Sequence, residues 1–296
     1  MSLSKYLLGW RKSTLEIYST VYKKYGGSVN LHPDVIAFSM RKKKEIVEFW
    51  HYENDGDIVA AYFKVNNRDI GCNLWREYPL SYDEVKIPMK ESKRIWLPER
   101  CNRLSPNNAN NIINSLNQYS EKKRICYAKS FFSKKTKKKR LGERKKFIDN
   151  GGEICELSNL TYDELAEIYV SLFKMRFGDK LQCYNKNKIV EMVSELNHLI
   201  YGTVLFYNRE PCAIDLVWRG ESDKAIYYDV PNGGLNPKYL HFSPGSIVMW
   251  ENINNAKIEC SIKSKEMLFS IGLYDSNWDY KLRWAEPKRL GKAIFI

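Results

Sequence analysis

The feature that most constrains the fold is an ordered change of hydrophobic period through the second half of the chain. Apolar side chains first recur at helical spacing in two segments, 165–177 and 189–200. The period then changes to that of strands. The later elements are, in order, a hairpin over 203–218, a strand over 225–230, a helix opened by Ser243 and a strand over 267–271. This alternation predicts an α/β fold with a central sheet.

The first half of the chain has a similar mixture of patterns. Residues 13–25 carry a helical apolar stripe, and His32-Pro33-Asp34 has the composition of a helix start. A side chain beside a helix start is more often structural than functional, so His32 is interpreted as structural. The other predicted elements are strands over 46–52 and 58–63, extended segments over 69–76 and 94–97, a polar helix over 107–119 and a final strand over 292–296.

The positive charge is concentrated in one segment. The net charge is +13, yet thirteen Lys or Arg and two Glu lie between Glu121 and Lys146, which leaves about +2 elsewhere. One interpretation is a solvated helix over 133–148, and the other is a site for phosphates or an anionic surface. No zinc-finger spacing, RNA-binding aromatic motif or helix-turn-helix accompanies it, so sequence-specific nucleic-acid binding is not expected. The candidate residues are Lys134, Lys135, Lys137, Lys138, Lys139 and Arg140.

Cysteine and histidine usage argues against a metal site. The seven Cys are scattered singly without a C-x-x-C motif, and there are four His, all distant from a Cys in sequence. The thiols are typical of a reducing compartment. No apolar run reaches the roughly 18–20 residues that a membrane span needs, and the N-terminus lacks a signal-peptide core. We therefore expect a soluble protein, at most peripheral to a membrane.

The start of the last helix is the candidate phosphate site. Free N–H groups at a helix N-terminus attract anions, Pro244 suits the first turn, and Gly245 lets a ligand approach the backbone. The tripeptide Ser-Pro-Gly alone is more often an ordinary helix start. Its position after a hairpin and a strand, and before a buried strand and an aromatic-basic loop, favours the functional interpretation. The candidate phosphate-binding (cofactor-binding) residues are Ser243, Pro244, Gly245, Ser246 and Ile247.

The order of these motifs resembles the GNAT fold, and in particular the CelD-like and Fem-type transferases. The resemblance rests on Asn208–Ala213, Ser243–Gly245, Phe269–Gly272 and Tyr280–Trp284, and it covers about residues 122–285. It implies tandem GNAT-like halves, a degenerate copy over 1–120 and a second over 121–296. The commoner phosphate loop Arg/Gln-x-x-Gly-x-Gly/Ala is absent, so Ser243–Ile247 must replace it. The implied donors are acyl-CoA, acyl carrier protein or aminoacyl-tRNA.

The whole chain further resembles the Mig-fourteen (Mig-14) family of antimicrobial-peptide resistance proteins. This resemblance rests on the chain length and on Lys24-Tyr25-Gly26-Gly27-Ser28 and His32-Pro33. It implies a bacterial virulence protein at the cytoplasmic face of the inner membrane. The reaction that such a protein would catalyse is left open.

Acyl transfer needs a base for the acceptor and an acid for the leaving group, and the sequence offers candidates for both. Asp215 and Asp229 interrupt apolar strands, where burial would raise a carboxyl pKa, although alternation could equally place Asp215 on a solvated face. Tyr274 and Tyr280 are candidate acids, and Lys281 could hold an acceptor carboxylate or phosphate. Trp278 and Trp284 could form the walls of the site.

Two classes of function follow from the sequence. The first is an acyl- or aminoacyltransferase that acts on a cell-envelope precursor or lipid and contributes to resistance to cationic antimicrobial peptides. The second is a GNAT scaffold without catalysis that binds anionic lipid or a protein partner at the inner membrane. A DNA-binding regulator would rest on charge alone. The donor, the acceptor and the oligomeric state are not determined by the sequence.

Overall fold

The computed structural model describes residues 3–66, 70–116 and 123–294, with side chains from Lys5 onward. The α-helices in these ranges are α1 Leu3–Leu7, α2 Leu15–Tyr25, α3 Pro33–Lys43, α4 Pro106–Ala109, α5 Lys134–Asp149, α6 Tyr162–Phe177, α7 Lys186–Glu195 and α8 Pro244–Ile262. Short 3-10 helices include Pro237–Phe242 before α8 and Ser276–Arg283 near the C-terminus.

The strands of the described ranges form a mixed set of sheets. They are β1 Trp10–Ser13, β2 Val47–Asn54, β3 Asp57–Val65, β4 Cys101–Leu104, β5 Arg124–Ala128, β6 Gly152–Glu156, β7 Ile200–Tyr201, β8 Thr203–Tyr207, β9 Glu210–Asp215, β10 Val217–Glu221, β11 Ala225–Asp229, β12 Gly233–Leu235, β13 Glu266–Leu273, β14 Ala285–Arg289 and β15 Gly291–Ala293. The sheet orders are β1-β2-β3, β14-β5-β13-β11-β10-β7, β12-β9-β8-β6 and β15-β4. The predicted order of elements over the second half is confirmed, except that the second strand of the predicted hairpin over 203–218 is divided into β9 and β10, which belong to different sheets.

Several helix boundaries follow from local capping that is visible in the sequence. Thr161 and Glu164 form a reciprocal capping box at the start of α6. The His32 side chain accepts a hydrogen bond from the N–H of Asp34 at the start of α3, which gives this histidine a structural role. Ser133 caps the basic helix α5 by accepting from the N–H of Thr136. These caps place the predicted helices within a few residues of their expected starts.

The predicted helix over 107–119 is wrong within the described residues. Only Pro106–Ala109 is helical, and residues 117–119 lie outside the described part of the chain. Asparagine side chains bond to the neighbouring segment instead of leaving the backbone to form a helix. Asn108 pairs with both backbone groups of Ile87, and Asn114 does the same with Leu97. Such side-chain bonds compete with helical ones and favour an irregular path.

The two halves share one hydrophobic core cluster and are also joined by polar and ionic contacts. Lys42 and Arg41 at the end of α3 form ion pairs with Glu195 on α7, at 2.5 and 2.9 Å. Tyr127 and Tyr227 both donate hydrogen bonds to the buried carboxylate of Glu84. Backbone pairing also joins β15 to β4. The division of the chain at residues 120 and 121 stays a prediction.

Candidate active-site cavity

The candidate site lies where two parallel strands separate. Strands β11 and β13 are paired as far as Asp229 and Ser270, and the N–H of Val230 still donates to the Ser270 carbonyl at 3.0 Å. Beyond that point the chain turns at Pro231 and forms β12, which pairs with β9 instead. A cavity of about 470 Å³ opens between the separated strands. Its other walls are the first turn of α8 and the 3-10 helix Ser276–Arg283.

Asp215 is the carboxylate on the cavity wall. It ends strand β9, is 5% exposed, and lies opposite Gly233 in the sheet register. Burial raises the pKa of Asp215 to about 6, although Arg176 and a 3.4 Å hydrogen bond from Asn252 Nδ2 act in the opposite direction. A side chain at Gly233 would put a Cβ 2.0 Å from Asp215 Oδ1. The structure thus places Asp215 inside the cavity and away from a solvated face.

Asp229 is buried in a different place. Among the described residues, it lies outside the cavity lining and in a small polar pocket with Ser28, Asn30 and Ser81 of the N-terminal half. The Ser81 hydroxyl donates to Asp229 Oδ2. Burial, together with the nearby carboxylates Asp83 and Glu84, raises the pKa of Asp229 to about 7. The two candidate bases therefore belong to separate environments, and Asp215 is the one that faces a ligand-sized space.

Arg176 is a cavity residue that sequence reasoning missed. It lies in the last turn of α6, where Nη1 donates to the Gly233 carbonyl at 2.8 Å and Nη2 to the Tyr280 hydroxyl at 3.1 Å. Its guanidinium is also 4.7 Å from the ring centre of Phe177 and 6.0 Å from that of Trp278. The amphipathic stripe of α6 indicated only a core face, and nothing in the sequence distinguished this half-buried arginine from the other cations of the helix.

Lys281 lies in the cavity and donates to the last residue of strand β13, which also contacts the N-terminal half. Its Nζ donates to the Leu273 carbonyl at 2.7 Å, while Asp83 accepts from the Leu273 N–H at 3.2 Å. Burial lowers the pKa of Lys281. Gly272 has φ +78°, and a Cβ there would lie 2.9 Å from Asp83 Oδ2 and 3.4 Å from Lys281 Nζ. The bulge at the end of β13 thus requires glycine.

Three of the four candidate aromatic residues line the cavity, and the fourth, Tyr274, does not. Tyr280, Trp278 and Trp284 line the cavity, with Tyr280 at its exposed mouth. Tyr274 lies outside the cavity lining of the described chain and donates to Asp279 Oδ1 at 2.7 Å. Tyr280 is therefore the tyrosine that could reach a bound ligand.

The start of α8 lines the cavity but offers few free donors. Ser243 adopts a left-handed conformation, and its carbonyl accepts from the N–H of Ser246 at 2.9 Å and of Ile247 at 3.2 Å. Pro244 has no N–H, so Gly245 carries the first-turn N–H that makes no hydrogen bond within the described residues. Ser243 to Ser246 line the cavity, whereas Ile247 packs in the core. This helix start therefore has fewer cavity-lining residues and free N–H groups than the sequence predicted, and anion binding there stays a prediction.

The basic helix presents its lysines to solvent. Lys134, Lys135, Lys137, Lys138 and Lys139 are exposed. The ion pairs that α5 makes in the described part of the chain are Arg140–Glu143 and Arg144–Glu251. Arg140 is buried, and its guanidinium lies 4.9 Å from the ring centre of Trp284, a cavity residue. Arg140 therefore packs behind the Trp284 wall and is paired with Glu143, so unlike the five exposed lysines it is not presented to an anionic partner.

Neither a metal cluster nor a membrane span is found in residues 3–66, 70–116 and 123–294. No three His, Cys, Asp or Glu side chains of these ranges are grouped closely enough to hold a metal ion. The seven cysteines are free thiols. None of the described helices combines the length and the apolar character that crossing a membrane requires.

Comparison with known proteins agrees with this architecture. A sequence model of the Mig-14 family matches residues 32–293. Comparison of the sequence with curated proteins finds no match. Solved structures that cover nearly all of the chain include the crystal structure of FemX, with a TM-score of 0.59 at 8% identity over 96% of this chain and 97% of that one.

Two further structures cover the chain to a similar extent. The structure of L-PGS from Bacillus licheniformis has a TM-score of 0.50 at 10% identity over 95% of this chain and 92% of that one. A tandem GNAT protein from the clavulanic acid biosynthesis pathway has a TM-score of 0.44 at 8% identity over 96% and 97%. The predicted α/β, tandem GNAT-like fold of the Fem type is confirmed.

Proposed function

The chain belongs to the Mig-14 family. We propose that the protein transfers an acyl or aminoacyl group from a phosphate-bearing carrier to an acceptor of the cell envelope, and that the transfer takes place in this cavity. The observation that carries this proposal is the cavity between β11 and β13, with one carboxylate and several cations on its walls. FemX and L-PGS share the fold, which supports a transferase. The family resemblance adds resistance to cationic antimicrobial peptides as the proposed biological role.

The residues of the cavity fit an anionic carrier. Arg176, Lys281 and Arg283 line it and form no ion pair with a carboxylate among the described residues. Gly245 lines the cavity and has space beside its Cα, because a Cβ there would meet nothing closer than Leu235 at 3.7 Å. Acyl-CoA, acyl carrier protein and aminoacyl-tRNA all present phosphates and an acyl carbonyl. Ser243 to Ser246 and these cations would hold such a carrier near the cavity mouth.

In the proposed reaction, Asp215 is the general base. The carrier holds the acyl group as a thioester or an ester. Its C–S or C–O bond breaks, and the acyl carbon forms a new C–N bond to an acceptor amine or a new C–O bond to an acceptor hydroxyl. Asp215, with a pKa of about 6, is ionised near neutral pH and takes the proton of the acceptor amine or hydroxyl. Lys281 and Arg176 place positive charge beside the acyl carbonyl. Tyr280 can return a proton to the leaving group from the cavity mouth.

The test is binding and turnover with purified protein. We expect one of the three carrier classes to bind, and Arg176→Met or Lys281→Met to weaken that binding about tenfold or more. Lys145→Met, an exposed lysine on α5 away from the five candidate lysines, is the matched control. Mass spectrometry of a co-purified ligand would identify the donor. The proposal fails if no carrier binds and Asp215 and Asp229 are both dispensable for peptide resistance.

A second candidate function is a scaffold without catalysis that binds anionic lipid at the inner membrane. The observation that favours it is the exposed lysine series on α5, which has no acidic partners in the described structure. It predicts sedimentation with phosphatidylglycerol vesicles that falls steeply with salt. It further predicts that an Asp215→Ala and Asp229→Ala double variant retains peptide resistance, which separates it from the transferase.

A further inference from the structure

Part of the cavity with Asp215 is lined by aliphatic side chains to which the proposed transfer gives no role. Val230 and Ile271 follow the paired ends of β11 and β13, and Met249 of α8 belongs to the same buried cluster. Val248 of α8 packs in a second cluster, against which Leu235 lies. Together with Leu240, these side chains form what we call the aliphatic wall of the cavity: Val230, Leu235, Leu240, Val248, Met249 and Ile271.

The aliphatic wall is open to a ligand at one end. Leu240, in the 3-10 helix that precedes α8, is 57% exposed, and Leu235 is half-buried. Space remains between Leu235 and the start of α8, because a Cβ at Gly245 would lie 3.7 Å from the Leu235 side chain. An apolar chain that enters beside Leu240 covers aliphatic surface, and the burial of such surface favours binding. The cavity volume of about 470 Å³ is in the range of small-molecule sites.

The charged residues of the cavity are mostly positive and come from other elements. Arg176 belongs to α6, and Lys281 and Arg283 belong to the 3-10 helix Ser276–Arg283. Burial lowers the pKa of Lys281, and the charge of Arg176 acts in the same direction, so these two cations lie close enough to repel each other. Asp215 is the one carboxylate residue that lines the cavity in the described part of the chain. Three cations against one carboxylate give the cavity a positive potential.

A positively charged acyl group does not suit this cavity. An aminoacyl group carries an ammonium next to its carbonyl, and cations that face the carbonyl repel that ammonium. Its anionic partner in the cavity would be Asp215, which already accepts a hydrogen bond from Asn252 at 3.4 Å. An ammonium paired with Asp215 would also occupy the carboxylate that takes the acceptor's proton. The charges therefore favour an acyl group without an ammonium.

Building on the proposed transfer, we propose that the transferred group is an uncharged, medium-length aliphatic acyl chain and not an aminoacyl group. The carbonyl faces Arg176 and Lys281, and the chain packs on the aliphatic wall. Two independent observations carry this assignment: the exposed aliphatic end of the wall at Leu240, and the excess of cations over carboxylates in the lining.

The probes are four carboxylates whose carboxylate group stands for the acyl carbonyl: octanoate, 2-hydroxyoctanoate, 2-aminooctanoate and acetate. Each is titrated into the purified protein by isothermal titration calorimetry at pH 7.5 and low salt. We expect octanoate to bind about tenfold or more tightly than acetate, because its chain covers the aliphatic wall. We expect 2-aminooctanoate to bind about tenfold or more weakly than octanoate, because its ammonium meets the cations. The hydroxyl of 2-hydroxyoctanoate is uncharged, so this probe should stay within about threefold of octanoate.

A first pair of variants tests whether octanoate lies on the aliphatic wall. Leu240→Ser should weaken octanoate binding about threefold and leave acetate binding unchanged, because it removes aliphatic surface from the cavity. The matched control is Ile262→Ser, at a 79% exposed isoleucine of α8 that lines a separate cavity. This control should bind octanoate as the unaltered protein does.

A second pair of variants tests the cations. Arg283→Met should weaken octanoate binding about threefold and 2-aminooctanoate binding less, because an anion loses more attraction than a zwitterion does. The matched control is Arg289→Met, at an exposed arginine of β14 that lies outside the cavity lining of the described chain. All four substituted side chains are exposed, so the variants should keep the melting temperature of the unaltered protein.

The inference is overturned if octanoate does not bind, or if acetate or 2-aminooctanoate binds as tightly as octanoate. It is also overturned if Leu240→Ser and Ile262→Ser have equal effects. Tighter binding of 2-aminooctanoate would assign an aminoacyl donor to the cavity and leave the proposed transfer intact. Failure of every carrier class to bind would instead refute the proposed transfer, even if octanoate binds.

Discussion

Replacing Asp229 by asparagine should remove a large pH dependence of stability. The pKa of Asp229 rises from 3.8 to about 7, chiefly through burial, so the folded state holds this proton more tightly than the unfolded state. The stabilisation is fully present below about pH 4 and is lost as the pH rises toward 7. A pKa difference of about 3 corresponds to about 4 kcal/mol in the free energy of unfolding. Asparagine carries no charge, and its side-chain oxygen can still accept from Ser81.

The assay is urea unfolding, followed by tryptophan fluorescence, between pH 4 and pH 8. At pH 8 we expect Asp229→Asn to be up to about 4 kcal/mol more stable than the unaltered protein. Asp215, with a pKa of about 6, contributes a smaller loss between pH 4 and 6 that remains in the variant. Asp223→Asn, at an exposed aspartate just before β11, should keep the full pH dependence. A variant that is less stable at pH 8, or that keeps the same slope up to pH 7, would refute the reasoning.

Other predictions concern the cavity and the basic helix. Gly233→Ala should destabilise the fold by about 1–3 kcal/mol, because the new Cβ would overlap Asp215 Oδ1. Gly142→Ala should stabilise the fold by about 0.5–1 kcal/mol, because this helical glycine of α5 has open space around it. Thermal unfolding measures both changes. Asp215→Asn should lower acyl transfer about 10²- to 10⁴-fold and abolish the rate increase around pH 6, as a pH–rate profile would show. Glutamine at the five exposed lysines of 134–139 should reduce both the affinity for anionic vesicles and its salt dependence, without changing the melting temperature. An unchanged salt dependence would contradict that interpretation.

The elements that sequence reasoning identified correctly are those defined by local chemistry. The start of α8 at Ser243-Pro244-Gly245 is one of them, because Pro244 acts within the first turn of the helix. The apolar stripes of α6 and α7 and the hairpin turn at 208–211 were likewise predicted from the order of residues. Strand β14 was missed because its sequence, Ala285–Arg289, is polar and contains a proline, and the pairing with β5 makes it a strand.

The candidate site was predicted only in part. Two buried aspartates on strands have equivalent sequence contexts, and the structure separates them, with Asp215 in the cavity and Asp229 against the N-terminal half. Arg176 could not be found because its role depends on Gly233 and Tyr280, which are 57 and 104 residues away in the chain. The start of α8, which the sequence predicts as a phosphate site, forms a wall of the cavity. Among the described residues, Gly245 carries its one N–H without a hydrogen bond.

The sequence by itself determined the α/β class, the order of elements in the second half and the position of the basic helix. These depend on hydrophobic period, caps and charge, which are properties of neighbouring residues. Only the tertiary structure decided which side chains share a cavity. The pairing of β11 with β13, the contact of Asp83 with Leu273 and the hydrogen bond from Asn252 to Asp215 all join residues distant in sequence. Long-range packing selects these neighbours, and no local pattern encodes them.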